Sequence, residues 1–189
     1  KVLFMLGVVS VWFGIINAVR EIARETPIYR RERLANLRIA PYVGAKLTML
    51  LLLILVQVAV LLALVGLKVA FPAAGVVLPF AVEAYITLTL TALAGAGLGL
   101  LLSALAATPD RAITLVPLAL IPQILFAGVI FGLGDGWTLQ RAFSWFTISR
   151  WSMDALGTSA DLNELPLQPG MLTLPNPLPE YTHSTEHLL

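Results

Sequence analysis

The sequence has 189 residues, of which 58% are hydrophobic and only 12% charged, with a net charge of +1 and no cysteine. Soluble domains carry about 25% charged residues, so this chain cannot cover a water-soluble surface. The small net charge gives no reason to expect a nucleic-acid partner, and the lack of cysteine excludes disulfides, thiolate metal sites and cysteine nucleophiles within these residues.

Four long uncharged segments predict the fold class. A bilayer core of about 30 Å needs roughly 20 apolar residues in a helix. We therefore predict an all-α, polytopic membrane protein with spans at about residues 2–19, 47–67, 80–106 and 112–133. With both ends of this arrangement on one side, we expect the chain to be a fragment that lacks a helix at each end.

The segment 20–46 is strongly basic. It holds seven of the twelve Lys and Arg residues, and the positive-inside rule places it in the cytoplasm. Thr26 as N-cap and Pro27 at the first helical position predict a short helix over about 27–37. One interpretation is a solvated loop that sets topology and contacts lipid phosphates. The other, which is more specific, is a docking element for a cytoplasmic protein.

The third span carries small or polar residues at every fourth position. Gly95, Gly99 and Ser103 continue a stripe that begins at Glu83, and this spacing lets helix backbones approach closely. Packing within one bundle explains the stripe, and a moving neighbour or a central cavity is the alternative. Glu83 lies near the external boundary, where it is either part of a polar path across the membrane or snorkels to the interface.

The fourth span and the external segment contain helix-breaking and aromatic residues. Pro117 and Pro122, next to Gln123, predict kinks in the span. Beyond it, segment 134–189 is expected outside the cell. Its tryptophans indicate helices at the membrane interface, and its prolines an irregular connection over 158–181.

A zinc-protease-like pattern lies near the end of the sequence. Residues 183–187 read H-x-x-E-H, but no further Asp, Glu, His or Cys follows to complete a site, so we expect no metal centre there.

The charged loop also resembles a known family. The run from Phe13 to Arg33 is similar to the second helix and first cytoplasmic loop of ABC-2-type permeases, especially the G-type (white-like) group and bacterial ATPase–permease fusions with a forkhead-associated domain. The resemblance extends to Tyr42–Lys46, to Phe126–Phe131 and to Phe143–Leu156. It rests on these loop positions: Phe13, Gly14, Asn17, Arg20, Glu21, Ile22, Glu25, Ile28, Tyr29, Arg30, Arg31, Glu32 and Arg33.

The resemblance implies that residues 1–189 are a partial ABC-2 transmembrane domain, about four helices of a six-helix permease plus an external re-entrant segment. It implies a multi-pass permease of an ATP-driven exporter in the plasma membrane, with the bacterial inner membrane expected. The kinked fourth span, with Gln123, would line the substrate path together with Glu83. Contacts to a nucleotide-binding domain would come from Glu21, Glu25, Tyr29, Arg30, Arg31, Glu32 and Arg33.

The implied partners are that nucleotide-binding domain, a second permease copy in a homodimer, and membrane lipids. The chain itself would hold no cofactor, because ATP and Mg would bind in the associated domain, and no Walker A sequence occurs here. The alternatives are an ion-coupled secondary transporter, which would favour buried carboxylates, and a membrane-embedded enzyme, which would need clustered ionisable groups. Glu83 is the one candidate group within the spans for either.

Overall fold

The computed structural model describes residues 2–25, 39–127 and 143–161. Every regular element in these three ranges is helical, which confirms the predicted all-α class. Residues 21–25 are also helical and follow the first helix after a turn. The helices are α1 (Val2–Ala18), α2 (Ile39–Gly66), α3 (Phe80–Leu105), α4 (Pro109–Thr114), α5 (Val116–Leu125) and α6 (Ile148–Ser159).

Three segments of the described residues are long and apolar enough to cross a bilayer: Val2–Glu25, Ala40–Gly66 and Phe80–Leu105. They correspond to the first three predicted spans. Helix α2, however, begins at Ile39, before the apolar run that starts at residue 47. The first two turns of α2 include Tyr42 and Lys46, and for this reason the predicted span began only after them.

The predicted fourth span, 112–133, begins as two short helices rather than one. Thr108 caps α4 by accepting the Arg111 N–H at 3.4 Å, and the helix ends at Thr114 with Leu115 as its C-cap. Pro117 stands at the start of α5, where its missing N–H removes a bond that a continuous helix would need. Residues 128–133 lie outside the described part of the chain, so this span stays a prediction.

Helices α1 and α3 run parallel and pack backbone against backbone. A Cβ atom at Gly95 would lie 2.6 Å from the Val11 carbonyl oxygen, and one at Gly99 would lie 2.7 Å from that of Ile15. Gly14 of α1 fits against the Ala92 carbonyl in the same way. These distances leave no room for a methyl group, so the glycines set the separation of the two helices.

Helix α6 packs lengthwise along this pair instead of lying across the helix ends. Ser152 lies against Gly7 of α1, and the Ser159 hydroxyl interacts with Glu83 near the start of α3. Leu156 and Ala160 belong to the same buried cluster as Phe80. Over residues 148–159, where the tryptophans predicted interfacial helices, the structure has one helix that packs along the bundle. Its re-entrant course stays a prediction.

The glycine contacts predict a position-specific loss of stability. Gly95→Ala should lower the free energy of unfolding by about 1–3 kcal/mol, because an inserted methyl group in a packed core forces the backbone apart. Thermal unfolding of the purified full-length protein in detergent measures this. Gly97→Ala is the matched control, since a Cβ there meets nothing within 4 Å. Equal melting temperatures for the two variants would contradict the packing argument.

Candidate functional site

A cluster of four charged and polar side chains, the Lys46 cluster, joins residues 21–25 to α2. The Lys46 ammonium lies 2.8 Å from the Glu21 carboxylate and 2.5 Å from that of Glu25. The Tyr42 hydroxyl donates to the second Glu25 oxygen at 2.9 Å. All four side chains are only partly exposed, so water weakens these bonds less than on an open surface.

Ser103 holds the same segment from the other side. Helix α1 ends at Ala18, the chain turns at Val19 and Arg20, and the helix resumes. The Ser103 hydroxyl accepts the N–H groups of Ile22 at 3.0 Å and of Ala23 at 2.9 Å. It thus supplies an acceptor to N–H groups in the first turn of the resumed helix. The segment that leads into the basic loop is therefore fixed to both α2 and α3.

The remaining predicted coupling residues lie outside the described residues. Glu21 and Glu25 are placed by the structure in one cluster. The predicted helix 27–37 falls in the undescribed range, as do Tyr29, Arg30, Arg31, Glu32 and Arg33. For them the coupling role stays a prediction.

The Glu83 carboxylate binds backbone N–H groups in front of the first turn of α3. Its carboxylate accepts the N–H groups of Val76 at 3.1 Å, Val77 at 2.7 Å and Leu78 at 2.9 Å. Gly75 passes so close to this carboxylate that a side chain there would clash with it. These bonds hold the link between α2 and α3 against the start of α3. Glu83 therefore has a structural role that its position in the sequence did not indicate.

Gln123 is buried and joins α5 to α6. Its side-chain oxygen accepts the N–H of Ile148 at 2.7 Å and that of Ser149 at 3.3 Å. Thr147, the N-cap residue of α6, makes no cap of its own to that helix and bonds instead to the carbonyls of Ser144 and Phe126. Gln123 therefore caps a helix that lies 25 residues further along the chain.

Arg150, in the first turn of α6, is surrounded by partners. Its guanidinium donates to the Ser144 hydroxyl at 2.6 Å and lies 3.7 Å from the Asp154 carboxylate. It also lies 5.8 Å from the ring centre of Trp145 and 5.6 Å from that of Trp151, within the range of cation–π attraction. Sequence reasoning treated these tryptophans as interfacial anchors and missed the cation between them.

Two polar contacts link the long helices within their apolar stretches. The Asn17 amide donates to the Gln57 side-chain oxygen at 2.7 Å, which connects α1 to α2. The Tyr85 hydroxyl donates to the Leu55 carbonyl at 3.1 Å, which connects α3 to α2. Isolated polar residues in apolar runs were the available signal for both pairs, because such groups need partners in the membrane.

The predicted residues do not converge on one pocket. Glu21, Glu25 and Ser103 meet where the first helix ends, and Gly95 and Gly99 lie along α1. Glu83 binds the link before α3, and Gln123 binds the start of α6. Within the described ranges, no three His, Cys, Asp or Glu side chains are grouped to hold a metal ion. The arrangement suits mechanical connection between helices.

Removing the Glu83 carboxylate should release the link between α2 and α3. In Glu83→Ala, the N–H groups of Val76, Val77 and Leu78 lose their acceptor, a cost of about 1–3 kcal/mol for buried donors and less here because this link is exposed. Protease added to right-side-out vesicles should then cleave residues 70–79 several-fold faster. Asp110→Ala, which removes a carboxylate at the opposite end of the bundle, is the control. Unchanged cleavage would leave Glu83 available for a path across the membrane.

Gln123→Ala should loosen the start of α6. Loss of a helix cap costs about 1 kcal/mol, and somewhat more where the freed donors are buried. Hydrogen exchange at Ile148 and Ser149 should accelerate roughly ten-fold, the factor that corresponds to about 1.4 kcal/mol. Gln123→Glu retains an acceptor oxygen and should exchange like the parent. Equal exchange in parent and alanine variant would show that the cap is not formed.

Comparison with known proteins gives the family. The sequence profile of the ABC-2 type transporter family matches residues 1–158. The chain is 30% identical over 175 residues to the ABC transporter ATP-binding/permease protein Rv1747 of Mycobacterium tuberculosis. That alignment covers 92% of this chain and 20% of the relative, so the chain spans about a fifth of the relative's length. No solved structure matches.

The family match covers all six helices almost to the end of α6, and with them the Lys46 cluster, the Ser103 cap and the Gln123 cap. The chain belongs to the ABC-2 type transporter family.

Proposed function

We propose that this chain is the membrane domain of an ATP-driven exporter and that residues 20–38 receive the motion of a cytoplasmic nucleotide-binding domain. The observation that carries the proposal is the double attachment of residues 21–25, through the Lys46 cluster to α2 and through Ser103 to α3. A loop that only set topology would need no such attachment. The name of the mycobacterial relative, an ATP-binding/permease protein, supports the pairing of these two functions in one system.

The attachment offers a direct route for force. A displacement of the basic loop moves residues 21–25, and the charge-assisted bonds of Lys46 pass that displacement to the first turns of α2. The Ser103 bonds pass it to the last turns of α3. Three long helices then respond together, which is what a change of access from one side of the membrane to the other requires.

The contact with the nucleotide-binding domain is assigned to the loop beyond Glu25. Tyr29, Arg30, Arg31, Glu32 and Arg33 supply several charges of both signs in five consecutive positions. Such a surface suits a charged partner in water better than lipid, since both signs have to be matched. Glu21 and Glu25 connect this loop to the helix bundle through Lys46.

A second copy of the permease is the proposed membrane partner, and the bacterial inner membrane the proposed location. Helix α2 supports the first point, because it is mostly exposed and its outward residues are apolar. Lipid or another helix covers such a face. The outward residues are Met49, Leu52, Leu53, Val56, Val60 and Leu64.

Within the described ranges, no observation favours the secondary-transporter alternative. Proton or sodium coupling needs a carboxylate free to change its charge or ligands. The Glu83 carboxylate is occupied by three backbone N–H groups. Gln123 in turn is a helix cap, so a role for either residue in the substrate path would be additional to its structural one.

Breaking the Lys46 cluster should uncouple ATP hydrolysis from transport. In the reconstituted full-length protein, Lys46→Gln should reduce transport per ATP hydrolysed by about 5–30-fold, as expected for a loss of about 1–2 kcal/mol of connection. Basal hydrolysis should persist. Lys68→Gln, in the turn that follows the opposite end of α2, is the matched control.

The loop residues are tested in the same assay. Glu25→Ala and Arg31→Ala should also lower transport while hydrolysis continues, and a Glu25→Lys, Lys46→Glu double variant should recover part of the coupling. If all variants transport as the parent does, or if no ATPase associates with the permease, the loop sets topology only.

A further inference from the structure

Three exposed arginines at one end of the bundle are not used by the coupling contacts proposed above. Arg20 and Arg24 lie one helical turn apart, since the Arg24 N–H donates to the Arg20 carbonyl at 3.0 Å. Arg111 is exposed in α4. Within the described ranges, none of the three guanidinium groups forms an ion pair or a hydrogen bond. Their charges are therefore available to a partner.

The packing of the helices brings the three arginines to one corner of the bundle. Val19 and Ala23 belong to the same buried cluster as Ala112 of α4. Arg24 directly follows Ala23, and Arg111 directly precedes Ala112. The arginines therefore border the contact between residues 19–24 and α4.

Exposed apolar residues continue this corner toward the middle of the membrane. Trp12 and Ile16 precede Arg20 at intervals of four residues and are 52% and 46% exposed. On the neighbouring helix α5, Leu118 and Ile121 are exposed as well. The surface thus changes from apolar to cationic where α1 ends, which is the level at which hydrocarbon gives way to lipid headgroups.

The acidic residues nearby do not neutralise the arginines. Glu21 and Glu25 are bound to Lys46, and Asp110 forms no ion pair with any described residue. A guanidinium can donate two parallel hydrogen bonds to phosphate oxygens, and arginine is for this reason a preferred ligand of phosphate. The three cations together suit a phosphate group.

A phospholipid matches both parts of this surface. Its phosphate suits the arginines and its acyl chains suit the exposed apolar residues of α1 and α5, whereas a water-soluble protein would leave those apolar residues without contact. The positive-inside rule places this end of the bundle in the cytoplasmic leaflet, where anionic lipids attract basic residues next to the spans.

We propose that Arg20, Arg24 and Arg111 bind the headgroup of an anionic phospholipid in the cytoplasmic leaflet, with its acyl chains along the exposed apolar residues of α1 and α5. The bound lipid lies beside residues 21–25 and anchors this corner of the bundle at the membrane surface. From the function proposed above, the inference takes only the cytoplasmic position of residues 20–38.

Thermal unfolding in mixed micelles tests the lipid site. Dioleoyl phosphatidylglycerol is added at increasing mole fraction to the full-length protein in an uncharged detergent, with dioleoyl phosphatidylcholine as the comparison. A lipid that binds the folded state raises the melting temperature of the membrane domain, so the mole fraction needed for a given rise reports the affinity.

The variants separate charge from other effects of substitution. Arg20→Gln, Arg24→Gln and Arg111→Gln are made singly and together, and a triple Arg→Lys variant retains the three charges. Lys68→Gln removes an exposed cation in the turn after the opposite end of α2 and is the matched control.

Phosphatidylglycerol should stabilise the parent at a lower mole fraction than phosphatidylcholine does. Each single glutamine variant should need about five-fold more phosphatidylglycerol for the same rise, because one basic residue near an anionic surface contributes about 1 kcal/mol. The triple glutamine variant should respond to the two lipids alike. The triple lysine variant should keep most of the preference, and Lys68→Gln should keep all of it.

Three results would overturn the proposal. One is an undiminished preference for phosphatidylglycerol in the triple glutamine variant. Another is an equal rise with soluble glycerol phosphate, because the site would then take a free anion. The third is an unchanged lipid response combined with lost ATPase coupling, which would assign the arginines to the nucleotide-binding domain. The lipid measurement needs no ATP hydrolysis, so failed coupling and failed lipid binding remain separate results.

Discussion

The close approach of α1 and α3 is the constraint on which the other contacts depend. Gly95 and Gly99 remove the side chains that would separate the two backbones, so that Val11 and Ile15 lie directly against α3. The Ser103 hydroxyl is short and reaches Ile22 and Ala23 only because the helices are this close. In the membrane, where apolar side chains gain little by leaving lipid, such contact between backbones is a main source of helix association.

A second principle recurs at three helix ends. Each start of a helix or link exposes N–H groups, and an unsatisfied N–H is costly where water is scarce. Here the acceptor comes from elsewhere in the fold: Ser103 serves residues 22 and 23, Glu83 serves the link before α3, and Gln123 serves the start of α6. Each bond also ties one element to another, so backbone satisfaction and mechanical connection are achieved by the same side chains.

Apolar run length, charge placement and the spacing of small residues were sufficient to predict the helical class and the first three spans, whereas the family was predicted from the resemblance of the charged loop. They act locally or at fixed spacing, so a single sequence displays them. The caps by Ser103 and Gln123 join residues 81 and 25 positions apart, and no local pattern indicates which donor a side chain will meet. For the same reason, sequence reasoning assigned Glu83 and Gln123 to a path across the membrane and missed their backbone partners.

The start of α2 illustrates how local reasoning can misplace a boundary. Tyr42 and Lys46 follow a basic stretch and precede a long apolar run, which favours a loop. Pairing with Glu21 and Glu25 instead stabilises a helix that begins at Ile39. The partners come from a segment about 20 residues earlier, and only the packed arrangement of α1, α2 and α3 brings them within reach.

The length of α2 has a geometric consequence. Its 28 residues measure about 42 Å, whereas the hydrocarbon core measures about 30 Å, so the helix either tilts or extends into the aqueous phase. A rigid rod of this length that rocks by about 10° around its midpoint carries each end through roughly 3–4 Å in opposite directions. Such a swing exceeds the length of any bond in the Lys46 cluster. Those four side chains must therefore travel with the rod or separate, and small rotations at one membrane face become opposite displacements at the other.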